Sequence, residues 1–169
     1  MLYTTTLVLT SILLAAGGAV QSGDVWQTLH GSWSGSGQVR GMSAEVELTF
    51  APALGDDGRA HRLEFVNRMQ LPDGKPWMFR AQAIYQCGAD GHCRGHWYDN
   101  RGQSMPVDAR IEGRALIVDW GDAGTPERGR TEYRVQSDGA MEIVDHVLGK
   151  DGAWKQFGLV KAVRAQRSR

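Results

Sequence analysis

The chain has 169 residues, which is enough for one domain with a sizeable core. Lys plus Arg and Asp plus Glu are equal at 19 each, so the formal net charge is zero. A nucleic-acid-binding protein needs a basic excess to neutralise phosphates, so this balance argues against a nucleic-acid partner. The basic residues of the tail, Arg164, Arg167 and Arg169, are interpreted as part of a solvated terminus.

Residues 1–20 differ from the rest of the chain and are interpreted as a signal peptide. They contain no charged side chain, and they hold the apolar run Leu7–Ala16 followed by the small residues Gly17, Gly18 and Ala19. This pattern is typical of a secretory signal, and the run is short for a transmembrane span. No Lys or Arg precedes the run, so an uncleaved anchor stays open as an alternative. We expect a periplasmic or secreted protein, with its domain at residues 21–169 and no integral membrane span after cleavage.

The next elements in chain order are a short helical turn and a series of strands. Residues 24–30 could form the helical turn. After it, apolar and polar residues alternate in short runs, as in Ser43–Phe50, and this period of two is typical of a strand with one wet face. The predicted strands cover residues 31–40, 43–50, 61–71, 77–87, 94–99, 103–111, 115–120, 128–135, 141–147 and 154–163.

The connections between these runs are rich in glycine. Seven of them place a glycine after a polar residue, at Gly58, Gly74, Gly91, Gly102, Gly113, Gly139 and Gly152. Such pairs are typical of hairpin turns, where the glycine adopts a positive φ. No amphipathic helical stretch is long enough for a parallel crossover. The sequence therefore predicts an all-β fold, a single antiparallel up-and-down barrel of about ten strands, because closure removes the two exposed edges.

Cys87 and Cys93 flank the turn-rich segment Gly-Ala-Asp-Gly-His. In an exported protein this arrangement favours a disulfide that staples a hairpin. Free thiols and a metal site with His92 and His96 are the alternatives. Paired spacings such as C-x2-C, which structural zinc sites favour, are absent, and no metal ligand is predicted.

The start of the first predicted strand carries a recognisable motif. Gly31-Ser32-Trp33, which follows the short helical turn, resembles the opening of calycin-type barrels, the lipocalin and fatty-acid-binding-protein superfamily. The longer form, with Gly35 and Gly37, also resembles the opening of nitrobindin-like haem-binding barrels. Membership of the calycin group would imply that Trp33 closes one barrel end and packs against a late basic residue, Lys161 or Arg164. Only one histidine, His146, lies in the last third, and no cofactor is predicted.

The alternation also predicts which residues face the interior. Arg128, Arg130, Glu132 and Arg134 must face water, which places Thr131, Tyr133 and Val135 inside. The same argument turns Asn67, Tyr85 and Asp145 inward, while Trp97 lies in an aromatic stretch interpreted as a barrel mouth. An inward aspartate must be hydrogen-bonded, paired or neutral, so Asp145 is either a structural group or a group that orients a ligand. The aromatic residues with a polar group, Tyr85, Trp97 and Tyr133, either fill the core of the barrel or line a pocket.

These features predict a function in binding. The candidate ligand-binding residues are Asn67, Tyr85, Trp97, Tyr133 and Asp145. We expect an exported barrel that holds a small hydrophobic or amphipathic molecule, and the alternative is a structural or protein-interaction domain with a packed, ligand-free barrel. No hydrolase or dinucleotide motif is present and no catalytic residue is predicted. An enzyme would need a second titratable group within hydrogen-bond reach of Asp145.

Overall fold

The structure, a computed structural model, describes residues 22–54, 58–121 and 127–166. The helix α1 (Ser22–Leu29) precedes ten strands that pair antiparallel in sequence order, and the last strand closes onto the first. The predicted fold class, a closed antiparallel barrel of ten strands after a short helix, is confirmed. The strands are β1 (Gly31–Val39), β2 (Met42–Pro52), β3 (Ala60–Gln70), β4 (Pro76–Cys87), β5 (His92–Asp99), β6 (Ser104–Glu112), β7 (Ala115–Trp120), β8 (Gly129–Val135), β9 (Met141–Leu148) and β10 (Trp154–Arg164).

The glycine-containing turns lie where the sequence places them. All seven predicted turn glycines have positive φ values, between 58° at Gly113 and 84° at Gly139. The two aspartates before Gly58 lie outside the described residues. Most strand ends differ from the prediction by one or two residues, and one of these differences matters for the site: Arg40 leaves β1 and enters the β1–β2 turn with a φ of 50°. That turn carries its side chain to the end of the barrel, where it becomes part of the site.

One end of the barrel is closed by α1. Val25, Trp26 and Leu29 of the helix are buried, and Trp33 donates a hydrogen bond from Nε1 to the Leu29 carbonyl at 2.8 Å. Trp33 is 1 % exposed, so it belongs to this closed end rather than to an open rim. The helix therefore forms a plug that leaves the opposite end of the barrel available.

The basic partner of Trp33 is Arg164. Its guanidinium carbon lies 4.2 Å from the centroid of the Trp33 ring, and it donates hydrogen bonds to the carbonyls of Thr28, at 2.5 Å, and His30. Lys161 instead faces Glu142 at 3.7 Å on the outer wall. Arg164 is exposed to solvent, as the interpretation of the tail expects, but its head group also ties the last strand to the helical plug. Arg167 and Arg169 lie outside the described residues.

The glycines of β1 allow the barrel to close. A Cβ atom on Gly35 would lie 2.7 Å from the Cβ of Ala162, and one on Gly37 would lie 2.7 Å from the Cα of Val160. Both contacts are shorter than carbon atoms tolerate, so β1 and β10 can approach this closely only without those side chains. The spacing of glycines after Trp33 thus has a structural cause at the seam between the first and last strands.

The disulfide between Cys87 and Cys93 is present, and this prediction is confirmed. The two residues face each other across the β4–β5 hairpin, at the same end of the barrel as α1. Since both sulfurs are used in the bond, the alternatives of free thiols and of thiolate–metal ligation do not apply. Within the described residues no helix is long and apolar enough to cross a membrane.

Candidate ligand cavity

The barrel contains a cavity of about 760 Å³ at the end away from α1. Its rim is formed by residues of the turns at that end, including Arg40 after β1, Leu71 after β3, Arg101 after β5 and Glu127 before β8. Its walls are the inward-facing side chains of the strands. The five residues singled out from the sequence all line this one cavity: Asn67, Tyr85, Trp97, Tyr133 and Asp145. Their role in binding a ligand stays a prediction.

One wall of the cavity is aromatic. Trp77 and Phe79 of β4 stack with ring centroids 5.6 Å apart and planes at 6°. Phe79 also stacks on Trp97 of β5 at 6.1 Å, and Phe65 of β3 meets the edge of Phe79 at 6.1 Å. These four rings are called the aromatic wall below. They are only partly buried and line the cavity, so they offer flat apolar faces to a ligand.

The opposite wall is polar and comes from β8 and β9. Strands β4 and β9 are five places apart in a ring of ten, so their inward faces meet across the barrel. Thr131 donates a hydrogen bond from its hydroxyl to Oδ1 of Asp145 at 2.7 Å and accepts one from Nε1 of Trp120 at 3.3 Å. This orients the Asp145 carboxyl along the wall. Burial raises the pKa of Asp145, against the opposing effects of the Thr131 hydrogen bond and of the charges on His146 and Arg40.

The space for this carboxyl is created by a glycine. Asp145 pairs with Gly158 across the β9–β10 ladder, and a Cβ on Gly158 would lie 2.7 Å from Oδ2 of Asp145. The β10 register shifts between Gln156 and Gly158, a bulge that places Phe157 at the cavity. Bulges often redirect a side chain near a functional site. No pattern in the sequence predicts this bulge.

Two polar atoms that line the cavity have no hydrogen-bond partner among the described residues, Oδ1 of Asn67 and the hydroxyl of Tyr85. Asn67 is 5 % exposed and Tyr85 is fully buried. The Tyr85 ring also packs 5.8 Å from Trp26, between the helical plug and the cavity. Burial raises the pKa of Tyr85 and of Tyr133, and for Tyr133 the neighbouring Tyr85 and Asp145 add to the shift. Both phenols are therefore neutral and able to donate or accept hydrogen bonds.

The mouth is crossed by an ion pair. Nη2 of Arg40 lies 2.9 Å from Oε2 of Glu127, and the guanidinium rests 4.6 Å from the centroid of Phe157. Arg101 packs over the ring of Phe79 at 4.9 Å. It also pairs with a carboxylate, because its Nη2 lies 3.2 Å from Asp99. The positive charges at the mouth are thus neutralised by neighbouring acids.

The sequence missed several of these residues. By alternation, Trp77 and Phe79 share the face of Tyr85, and Phe65 shares the face of Asn67. Their aromatic character on those faces was the available signal. The mouth pair of Arg40 and Glu127 joins positions far apart in the chain, and no local pattern links them.

A metal centre or an acid–base pair at Asp145 would need further titratable side chains close to this carboxyl. Within the described residues no group of three or more His, Cys, Asp or Glu side chains is placed to hold a metal ion. In the same part of the chain, the hydrogen-bond partner of the Asp145 side chain is the Thr131 hydroxyl. The described cavity thus offers an oriented carboxyl, neutral phenols and an amide, and these groups are suited to orienting a bound molecule.

Of the comparisons with known proteins, the one with solved structures bears on the fold. No model of a known protein family matches the chain, and no curated protein matches it. Among solved structures, the chain is similar to the crystal structure of Rv2717c from M. tuberculosis, with a TM-score of 0.59 at 15% sequence identity. The similarity covers 86% of this chain and 98% of that one, and at this identity it supports the barrel fold alone.

Proposed function

We propose that the protein is an exported barrel that binds a small hydrophobic or amphipathic molecule. The observation that carries the proposal is the cavity of about 760 Å³, which is lined mainly by apolar and aromatic side chains with a few convergent polar groups. Small-molecule sites commonly have volumes of roughly 300–1,000 Å³ and this kind of lining. Asn67, Tyr85, Trp97, Tyr133 and Asp145 are the proposed ligand contacts, together with the rest of the aromatic wall.

The width of the barrel supports a ligand rather than a packed interior. Eight strands make a barrel that side chains nearly fill, and ten enclose more space. Here α1 and Trp33 fill the closed end, while the inward side chains of the other end leave the cavity. The alternative of a ligand-free packed barrel predicts that this space is filled, so the cavity counts against it.

Export and calycin-like ancestry are part of the same proposal. The disulfide is of the kind that persists in oxidising compartments and therefore supports a periplasmic or secreted location. The signal peptide assigned to residues 1–20 lies outside the described residues. The contact between Trp33 and Arg164, at the closed end of a meander barrel, supports the calycin-like resemblance. The balanced charge favours a small-molecule partner over nucleic acid.

Native mass spectrometry of the full chain, exported and purified without detergent, tests this proposal. We expect a population heavier than the polypeptide by one small-molecule mass, and organic extraction should release that molecule and leave the polypeptide mass. A chain that carries no added mass, and whose melting temperature no member of a panel of neutral polycyclic compounds raises, would contradict the proposal.

A further inference from the structure

We propose that the cavity selects an organic amine, a flat apolar body bearing a protonated amino group that donates hydrogen bonds to Asp145. This inference rests on the proposed function and names the chemistry of its ligand. It follows from the arrangement of polar atoms, from the charges around the cavity and from the aromatic wall.

Both polar atoms of the cavity that lack a partner among the described residues can accept a hydrogen bond. Oδ1 of Asn67 has no hydrogen-bond partner in a position 5 % exposed, and the unpartnered hydroxyl of Tyr85 can accept or donate. Asp145 receives one hydrogen bond, from Thr131 at Oδ1, and its Oδ2 occupies the room left by Gly158. Buried acceptors without donors cost free energy. A ligand that supplies N–H groups therefore gains binding free energy by pairing with them, and a ligand that supplies only acceptors does not.

The charges around the cavity favour a cation in the interior. Arg40 is held by Glu127 at 2.9 Å and Arg101 by Asp99 at 3.2 Å, so each guanidinium already has an acidic partner at the mouth. The charge of Arg40 acts on Asp145 without forming an ion pair with it. Among the described ion pairs none includes Asp145, so its carboxyl has no cation at contact distance. A ligand ammonium group would supply that missing partner.

The aromatic wall would hold the rest of the ligand. Trp77 and Phe79 are parallel within 6° and Phe79 and Trp97 within 25°, so their rings form a stepped surface that a flat molecule can cover. The same rings attract an ammonium group through their negative faces. A ligand that spans the cavity would therefore direct its apolar body to β4 and β5 and its amino group to β9.

The same geometry couples the binding of an amine to the release of a proton from Asp145. The groups that interact with Asp145 are Thr131 and Tyr133 from β8, Arg40 from the β1–β2 turn and His146 from β9. Burial raises the pKa of Asp145 above its ordinary value of 3.8, and so favours the neutral acid in the empty cavity. An ammonium ion favours the carboxylate instead, so its binding releases the carboxyl proton to water. The affinity for an amine should therefore rise with pH as Asp145 of the empty cavity ionises, while the affinity for a neutral analogue should not change.

Three probes of one shape test the inference: 2-(1-naphthyl)ethylamine, 1-ethylnaphthalene and 3-(1-naphthyl)propanoic acid. Their affinities for the full chain are measured by calorimetry at several pH values from acid to neutral, at each pH in two buffers of different ionisation enthalpy. We expect the amine to bind at least about tenfold more tightly than the other two at the upper end of this range, and to release protons where Asp145 of the empty cavity is still protonated. In Asp145→Asn this preference and the proton release should both be lost, while the neutral probe still binds.

Asp108→Asn is the matched control, because Asp108 is exposed on the outer face of β6; it should bind all three probes as the unaltered chain does. Equal affinities for the amine and the neutral probe, or tighter binding of the acid, would overturn the choice of ligand and leave the proposed function standing. Failure of all three probes to bind would count against the proposed function itself. If Asp145→Asn fails to fold, the probe preference and the proton release of the unaltered chain still decide the matter.

Discussion

Arg164 is expected to stabilise the barrel by joining its last strand to the helical plug. Its guanidinium lies 4.2 Å from the Trp33 ring centroid and donates to two backbone carbonyls, those of Thr28 and His30. An exposed cation–π contact contributes about 0.5 kcal/mol. Each hydrogen bond adds about 0.7 kcal/mol, toward the low end of the usual range because Arg164 is solvent-exposed. The Arg164→Met variant, which keeps the aliphatic part of the side chain, should therefore lose about 2 kcal/mol of unfolding free energy.

Urea unfolding followed by tryptophan fluorescence and circular dichroism measures this loss. For a chain of this size it corresponds to a fall in melting temperature of roughly 4–8 °C. Arg164→Lys should recover part of the loss, because an ammonium group keeps the contact with the Trp33 ring. It cannot reproduce the planar guanidinium that donates to two carbonyls at once. Arg94→Met, at an exposed position on β5, is the matched control and should change little. If Arg164→Met were as stable as Arg94→Met, the assignment of Arg164 as the link between β10 and the plug would be wrong.

Three further perturbations follow from the structure. Replacing both Cys87 and Cys93 by alanine should lower the unfolding free energy by about 2 kcal/mol, the chain-entropy value for a short loop, as measured in urea; no change would show that the bond does not constrain the unfolded chain. Gly129→Ala should destabilise the barrel by about 1–3 kcal/mol, because the new Cβ would overlap the Trp120 ring; an unchanged melting temperature would contradict this packing. Asp145→Asn should become more stable relative to the unaltered chain as pH rises above 3.8, since a carboxyl whose folded pKa is raised loses stability as the unfolded state ionises first. Thermal melts across pH 4–8 measure that difference, and a constant difference would exclude the raised pKa.

The barrel itself was predictable because its signals are local. Alternation identifies each strand over a few residues, and a glycine that needs a positive φ identifies each turn, as at Gly74 and Gly139. The closure of the barrel followed from the number and order of the strands, because an open sheet of ten strands would leave two exposed edges. The inward position of Asp145 followed from the phase of Met141 and Ile143 on the same strand.

The site was predictable only in part because its geometry depends on distant residues. Whether Asp145 faces an open space or packed side chains depends on the volume left by β3–β5, and single-strand patterns do not contain that volume. The bulge at Phe157 and the ion pair of Arg40 with Glu127 depend on pairing between strands and turns far apart in sequence. The glycines at positions 35 and 158 could be seen in the sequence, but their partners could not.

The central claim is that a small molecule binds inside this cavity, and a blocking substitution tests it most directly. Met105 is partly buried and lines the cavity, whereas Met78 is 40 % exposed and lies on the outer face of β4. The affinity of 1-ethylnaphthalene, titrated by tryptophan fluorescence, should fall by at least about tenfold in Met105→Trp and stay unchanged in Met78→Trp. Equal affinities in the two variants, with both folded, would contradict the account, because the probe would then bind outside the barrel.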